Sequence, residues 1–184
     1  YINPHGDCPM STLSVDTIQG KTTAGTVAMP AGALLQVVNT SFSTQTKVTA
    51  TSYTAISGAS LAITPKFASS KILVIVNFSM RIYDGNTNYA NGSFQILRDS
   101  TAIQGSVPTD GSGTFEVGAY DSGGSSTEVN MRYTNMILDS PNTTSSTTYS
   151  VKMAAYGSQG SEIGVNLGTS ATGTSHIILQ EIAG

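Results

Sequence analysis

The chain has 184 residues, 39% of them hydrophobic, enough to bury the core of one domain with a short appendage. Only 10% are charged, against about 25% in ordinary soluble domains, and 50 serines and threonines with 19 glycines take their place. Net charge is −3 with eight scattered Lys and Arg, no apolar run approaches about 18 residues, and Cys8 stands alone, which excludes a nucleic-acid-binding stripe, a membrane-spanning helix and an intrachain disulfide framework.

Residues 1–10, "YINPHGDCPM", do not match the rest of the chain and read as a leader, with Met10 the expected natural start. No basic region leading into an apolar core opens the chain, so no secretory signal is read. Release by lysis, as virus particles leave a cell, fits a hydroxyl-rich extracellular protein without one. Residues 11–33 hold few residues able to anchor a core: Leu13, Val15, Ile18, Val27 and Met29. Alone this segment cannot bury enough apolar surface to offset the entropy of ordering it. It is expected to be ordered by other chains, and "TLSVDTI" alternates well enough to add a short strand to a neighbour.

From Leu34 strands dominate, because Thr and Val favour pleated backbone while Ser and Gly favour turns. "ALLQVVNTSF" opens the domain, and "TSYTAISGASLAITP" predicts two short strands around Ser57-Gly58. "SSKILVIVNFSMRIYD" is the strongest strand: Ile72, Val74, Val76, Phe78, Met80 and Ile82 share one face. Leu73 and Ile75 predict that its first half is buried on both sides, and the polar Asn77, Ser79, Arg81 and Tyr83 that its second half faces solvent on one. "DGNTNYANG", 84–92, carries Asp-Gly and Asn-Gly turn chemistry and predicts a loop. In "SFQILRDSTAIQG" the "RDST" predicts a hairpin turn; "SVPTDGSG" and "SGGSS" predict loops flanking the strand "TFEVGAYD". "TEVNMRYTNMILD" predicts a strand in which Val129, Met131 and Tyr133 share a face and Ile137 comes after a bulge. "TYSVKMAAY" alternates, with Tyr149, Val151, Met153 and Ala155 on one side; "EIGVNLG" is short. "HIILQEI" predicts a central strand, because edge strands are normally defended by charge or proline and Glu181 is its only charge. Nine or ten strands and no helix predict an all-β, jelly-roll-like antiparallel β-sandwich.

"STLSVDTIQGKTTAGTVAMPAG", "ITPKFASSKILVIVN", "ILRDSTAI", "LDSPNTTSSTTYSVKMAA" and the terminal "HIILQEIAG" together resemble bacteriophage virion fibre proteins, common in viruses of marine bacteria. The likeness spans nearly all of residues 11–184; residues 1–10 do not align with it. It implies an N-terminal attachment segment, residues 11–33, and a C-terminal β-knob, residues 34–184. The knob is similar to the trimeric jelly rolls of the complement and tumour-necrosis-factor type. The resemblance therefore implies a homotrimeric tail fibre or spike subunit located on the virion, bound to other virion proteins through residues 11–33 and contributing to host-surface attachment. Two other readings stand beside it: a head fibre or decoration subunit without a receptor role, and an exported bacterial carbohydrate-binding or filament subunit.

The chemistry legible along the chain is sparse. His5 and Cys8 are too few to hold a metal, and His176, the other histidine, lies far away in sequence. Asp84, Asn86 and Asn88 echo the start of a calcium loop, but Gln95 stands where its bidentate glutamate belongs. No metal and no cofactor are expected. The eleven acids are dispersed without the pairing that glycoside cleavage needs, and no Ser-His-Asp assembly is readable, so the chain is not read as an enzyme. Turn chemistry alone explains the two polar loops as solvated turns, and a surface contact is the functional alternative. Tyr83 and Tyr89 flank Asp84, Asn86 and Asn88 in one predicted loop, and Tyr120 and Asp121 stand beside a Gly pair in another. Tyrosine stacks on pyranose faces and Asn or Asp bonds their hydroxyls, so a host cell-surface glycan is the candidate ligand for these seven residues.

Overall fold

The computed structural model describes residues 29–85, 89–105, 117–120, 126–157, 161–167 and 173–184. Residues 31–184 form one compact unit. Among the described residues there are eleven strands and no helix: β1 (Leu34–Phe42), β2 (Thr46–Val48), β3 (Thr54–Ile63), β4 (Lys71–Asp84), β5 (Tyr89–Arg98), β6 (Thr101–Gln104), β7 (Val117–Tyr120), β8 (Thr127–Asp139), β9 (Thr147–Gly157), β10 (Glu162–Val165) and β11 (Ser175–Ile182). Every pairing is antiparallel, and the strands form two sheets in a sandwich-like arrangement.

In the first sheet β4 is central. β8 pairs with it along its whole length on one edge. On the other edge β11 covers Lys71–Asn77 and β10 covers Met80–Tyr83, with β1 beyond β11 and β2 beyond β10. In the second sheet β9 lies between β3 and β5, and the far edge of β5 carries β7 at Tyr89–Gly92 and β6 at Ile96–Arg98. The end of the sandwich holding Leu34, Lys71, Asp139 and Ile182 is here the base. The opposite end, holding Asp84, Tyr89, Tyr120 and Thr127, is the tip.

Period-two patterning puts the core where the alternation predicts. Ile72, Val74, Val76, Phe78, Met80 and Ile82 of β4 are all buried, each worth roughly 2 kcal/mol in transfer from water. They meet Phe94, Ile96, Tyr149, Val151 and Met153 from the second sheet. The centre is aromatic. Phe78 lies 5.8 Å from Phe94 and 6.0 Å from Phe42, and Phe94 stacks on Tyr133 at 4.4 Å. β11 lies between β1 and β4, as its undefended edges predict.

Four local expectations need correction. Residues 54–63 form one strand, not two, although its ladder with β9 breaks around Gly58, at φ +83°: β3 advances five residues from Ala55 to Ser60 against two on β9, a large bulge. A Cβ at Gly58 would lie 2.8 Å from that of Phe42, so the close approach also demands glycine. β8 has no bulge. Its thirteen residues pair with β4 without a shift, and Asn135 occupies the core-side position between Tyr133 and Ile137. There it donates to the Tyr133 hydroxyl (2.8 Å) and accepts from Gln104 (3.1 Å), which removes the penalty for a half-buried amide. The predicted 84–92 loop is shorter, since Asp84 closes β4 and Tyr89–Gly92 open β5. Finally, Leu73 and Ile75 are half-buried, as is the rest of that face of β4, so the first half of the strand is not buried on both sides within one chain. The predicted "RDST" turn is present, with Asp99 at φ 52° between β5 and β6.

Two polar knots tie the elements together. At the base Glu181 is fully buried. It accepts from Gln36 Nε2 (2.5 Å) and from the backbone N–H groups of Lys66 (2.7 Å) and Phe67 (3.4 Å), binding the β3–β4 connection to β11 and β1. Burial pushes its carboxyl up, but the Ser70 hydroxyl beside it, Gln36 and the two N–H groups outweigh burial and hold it below the ordinary carboxylate value. Across the base, Asp139 of β8 takes Arg98 Nη1 (2.9 and 3.0 Å) and the Tyr149 hydroxyl (2.7 Å), joining the two sheets. Burial first, then the Asp139 carboxylate, pushes the Tyr149 phenol far up, so it stays a donor.

Candidate functional site

The two tyrosine-bearing stretches singled out in sequence converge at the tip. β4 ends at Asp84 opposite Thr127, and β5 begins at Tyr89 opposite Tyr120. The connections 85–88 and 121–126 therefore leave from adjacent strand ends. A third, between β9 and β10, joins them: Ser161 Oγ donates to the Tyr89 carbonyl (3.1 Å). This convergence rests on long-range pairing and could not be read locally.

The seven candidate residues do not share one environment. Asp84 is wholly buried on the core side of β4, so it is not a loop-tip ligand for a sugar hydroxyl; the strand continues one residue further than the turn chemistry suggests. Tyr83 stands half-buried on the outer face of the first sheet, with the Arg81 guanidinium 5.7 Å from its ring centroid. Tyr89 is half-exposed on the outer face of the second sheet and stacks on Tyr156, centroids 6.3 Å apart and planes 24° apart. Tyr120 closes β7 in register with Tyr89. Asn86, Asn88 and Asp121 lie outside the described residues.

Sequence reasoning passed over Tyr156. The signal was present. Tyr149, Val151, Met153 and Ala155 face the core, so an aromatic at 156, on the opposite parity, faces out.

The outer face of the first sheet changes character from base to tip. Register sets up two rows at the base that are apolar but for one amide each: Val37–Gln180–Leu73–Leu138 and Asn39–Ile178–Ile75–Met136. Leu34 (54%), Val37 (46%), Met136 (60%) and Leu138 (50%) remain exposed there. Next comes a hydroxyl and amide row, Ser41–His176–Asn77–Thr134, with Asn77 donating to Thr134 (2.6 Å) and accepting from Arg132 (3.2 Å). Towards the tip the face becomes ionic. Glu162 pairs with Arg81 and with Lys47 (2.8 Å), and Arg81 also reaches Glu128 (3.4 Å), which Asn130 supports (2.8 Å).

Among the described residues no three His, Cys, Asp or Glu side chains gather as a metal site would require. His176 is exposed beside Asn77 and Ser41; His5 and Cys8 lie outside the described residues. No protein-family model and no curated protein matches the chain.

Proposed function

We propose that the chain is the knob subunit of a homotrimeric fibre or spike on a virus particle, contributing at its tip to attachment on the host surface. One observation carries this reading: two adjacent rows across four strands, apolar but for one amide each, with four large aliphatic side chains about half exposed at one end of an otherwise hydroxyl-rich protein. A patch of that kind suits an interface with sister copies. Strand order supports a jelly roll. With β6 and β7 taken as one position, and β2 and β10 as extensions of the β1 and β11 layers, the eight positions run 1-8-3-6 and 2-7-4-5. The attachment segment, residues 11–33, leads into Leu34 at the base, and the tyrosine-bearing connections leave from the tip. Base-to-base assembly would then hold the tips free, and several tips per particle raise effective concentration so that weak single contacts suffice.

Static light scattering of the full chain at micromolar concentration tests the assembly, with three chain masses expected and one chain mass overturning it. Gold-labelled antibody against the chain, imaged on purified particles, tests the location. Label at fibre ends is expected, and particles without label overturn the virion assignment.

A further inference from the structure

Alternation along β5 and β9 directs Phe94, Ile96, Tyr149, Val151 and Met153 into the core, so Tyr89, Asn91, Ala154 and Tyr156 face outward from the second sheet. Asn91 is the register partner of both Tyr156 on β9 and Gly118 on β7. A Cβ at Gly118 would lie 2.4 Å from Asn91 Oδ1, so glycine there leaves the room the amide occupies. One row towards the base, Ser93 and Ala154 are buried; a further row on, Gln95 and Lys152, the nearest charge on this face of β5 and β9, are half-exposed like Tyr89 and Tyr156.

The chemistry of this patch is specific in kind. Two tyrosine rings in near-parallel planes present apolar faces with hydroxyl rims at small cost in side-chain entropy. An amide beside them supplies both a donor and an acceptor. Tyr89, Asn91, Gly118 and Tyr156 carry no charge, and the Glu162–Arg81–Lys47 network belongs to the other sheet. An uncharged aromatic wall beside a bifunctional amide matches a neutral sugar ring, whose C–H face packs on aromatic carbon and whose hydroxyls both give and take hydrogen bonds.

We propose that Tyr89, Tyr156 and Asn91 form a subsite for a neutral pyranose unit of a surface polysaccharide, a proposal that names the ligand class for the attachment role above and rests on it. The subsite lies on the outer face of the second sheet, at its tip end.

The chain has no tryptophan, so tyrosine fluorescence reports directly on the full-length protein. Titration with dextran, mannan and galactan, with alginate as the anionic comparison, is expected to saturate with at least one neutral polymer. Tyr156→Ala should weaken that binding about tenfold, as the loss of one aromatic contact predicts, and Tyr156→Phe should keep most of it. Gly118→Ala, which crowds Asn91 without touching the tyrosines, should weaken binding while the circular dichroism spectrum stays unchanged. No saturation with any of the three, equal binding by all variants, or preference for alginate overturns the subsite. A chain that is trimeric and labels fibre ends yet binds none of the three sinks the subsite alone. A monomeric chain whose neutral-polymer binding is lost in Tyr156→Ala sinks the fibre reading alone.

Discussion

At the base of the first sheet, side chains facing outward from β1, β11, β4 and β8 are largely aliphatic. At the tip, on the same β4 and β8, they are Arg81, Tyr83, Asn130 and Glu128. Backbone geometry is shared, so the difference lies in side-chain chemistry alone. Ionic groups at the tip pair with one another within one chain. The aliphatic rows at the base gain nothing from water, and about 25 cal/mol per Å² is available to whatever covers them. The same division holds for charge. Glu181 at the base is sealed and hydrogen-bonded by backbone, whereas Glu162 at the tip is held by two cations that are themselves partly exposed. Under the proposed assembly, one end is the one that sister chains cover and the other faces solvent.

The largest effect is expected at the sealed end. Glu181→Ala leaves the Lys66 and Phe67 N–H groups and Gln36 without their acceptor and should cost about 3 kcal/mol in urea unfolding; a cost no greater than that of Lys47→Ala would erase the distinction between the two ends. Next, Asp139→Ala strands the buried Tyr149 hydroxyl and leaves Arg98 only the Ser140 carbonyl, and should cost about 2 kcal/mol by the same measurement. Met136→Glu and Leu138→Glu place charge on the aliphatic rows. Each should leave the circular dichroism spectrum intact and convert the proposed trimer to single chains in light scattering.

A smaller effect is the pH dependence of the base. An unfolded glutamate titrates near about 4.3, and the folded Glu181 lies below its ordinary value. Its contribution is therefore fully present above the unfolded value and is lost as pH falls through the folded one. Urea midpoints measured from pH 7 to pH 3 should fall more steeply for wild type than for Glu181→Gln; parallel curves would refute the linkage. The smallest effect is expected at the tip, where Lys47→Ala removes a half-exposed partner and should change stability by no more than about 0.5 kcal/mol.

The core face of β4 was legible, because period two with six apolar residues on one face fixes which side is buried, whereas Leu73 and Ile75 suggested a second buried face that one chain does not provide. Glu181 was legible and overlooked: it shares parity with Ser175, Ile177 and Leu179, all core-side, so alternation buries it once the strand is central. Asn135 misled, since a polar residue at a core position reads as a slip in register until its partners are known. Those partners, Tyr133 and Gln104, include one from a strand of the other sheet. Ser57-Gly58 misled for a related reason. A turn-forming pair marks a break locally, and only pairing with β9 converts the break into a bulge. Of the candidate site, Tyr89 and Tyr120 were named but their juxtaposition was not visible, and Asp84 was placed in solvent although its strand carries it inward.

Strand content, the core face of each long strand and the absence of a helix among the described residues come from composition and alternation, because side-chain direction in extended backbone repeats every two residues whatever the surroundings. The base–tip gradient on the first sheet, the Glu181 and Asp139 knots and the Tyr89–Tyr156 stack arise only on folding. Each depends on register between strands distant in sequence, and a shift of one residue in any ladder would turn its side chains to the other face.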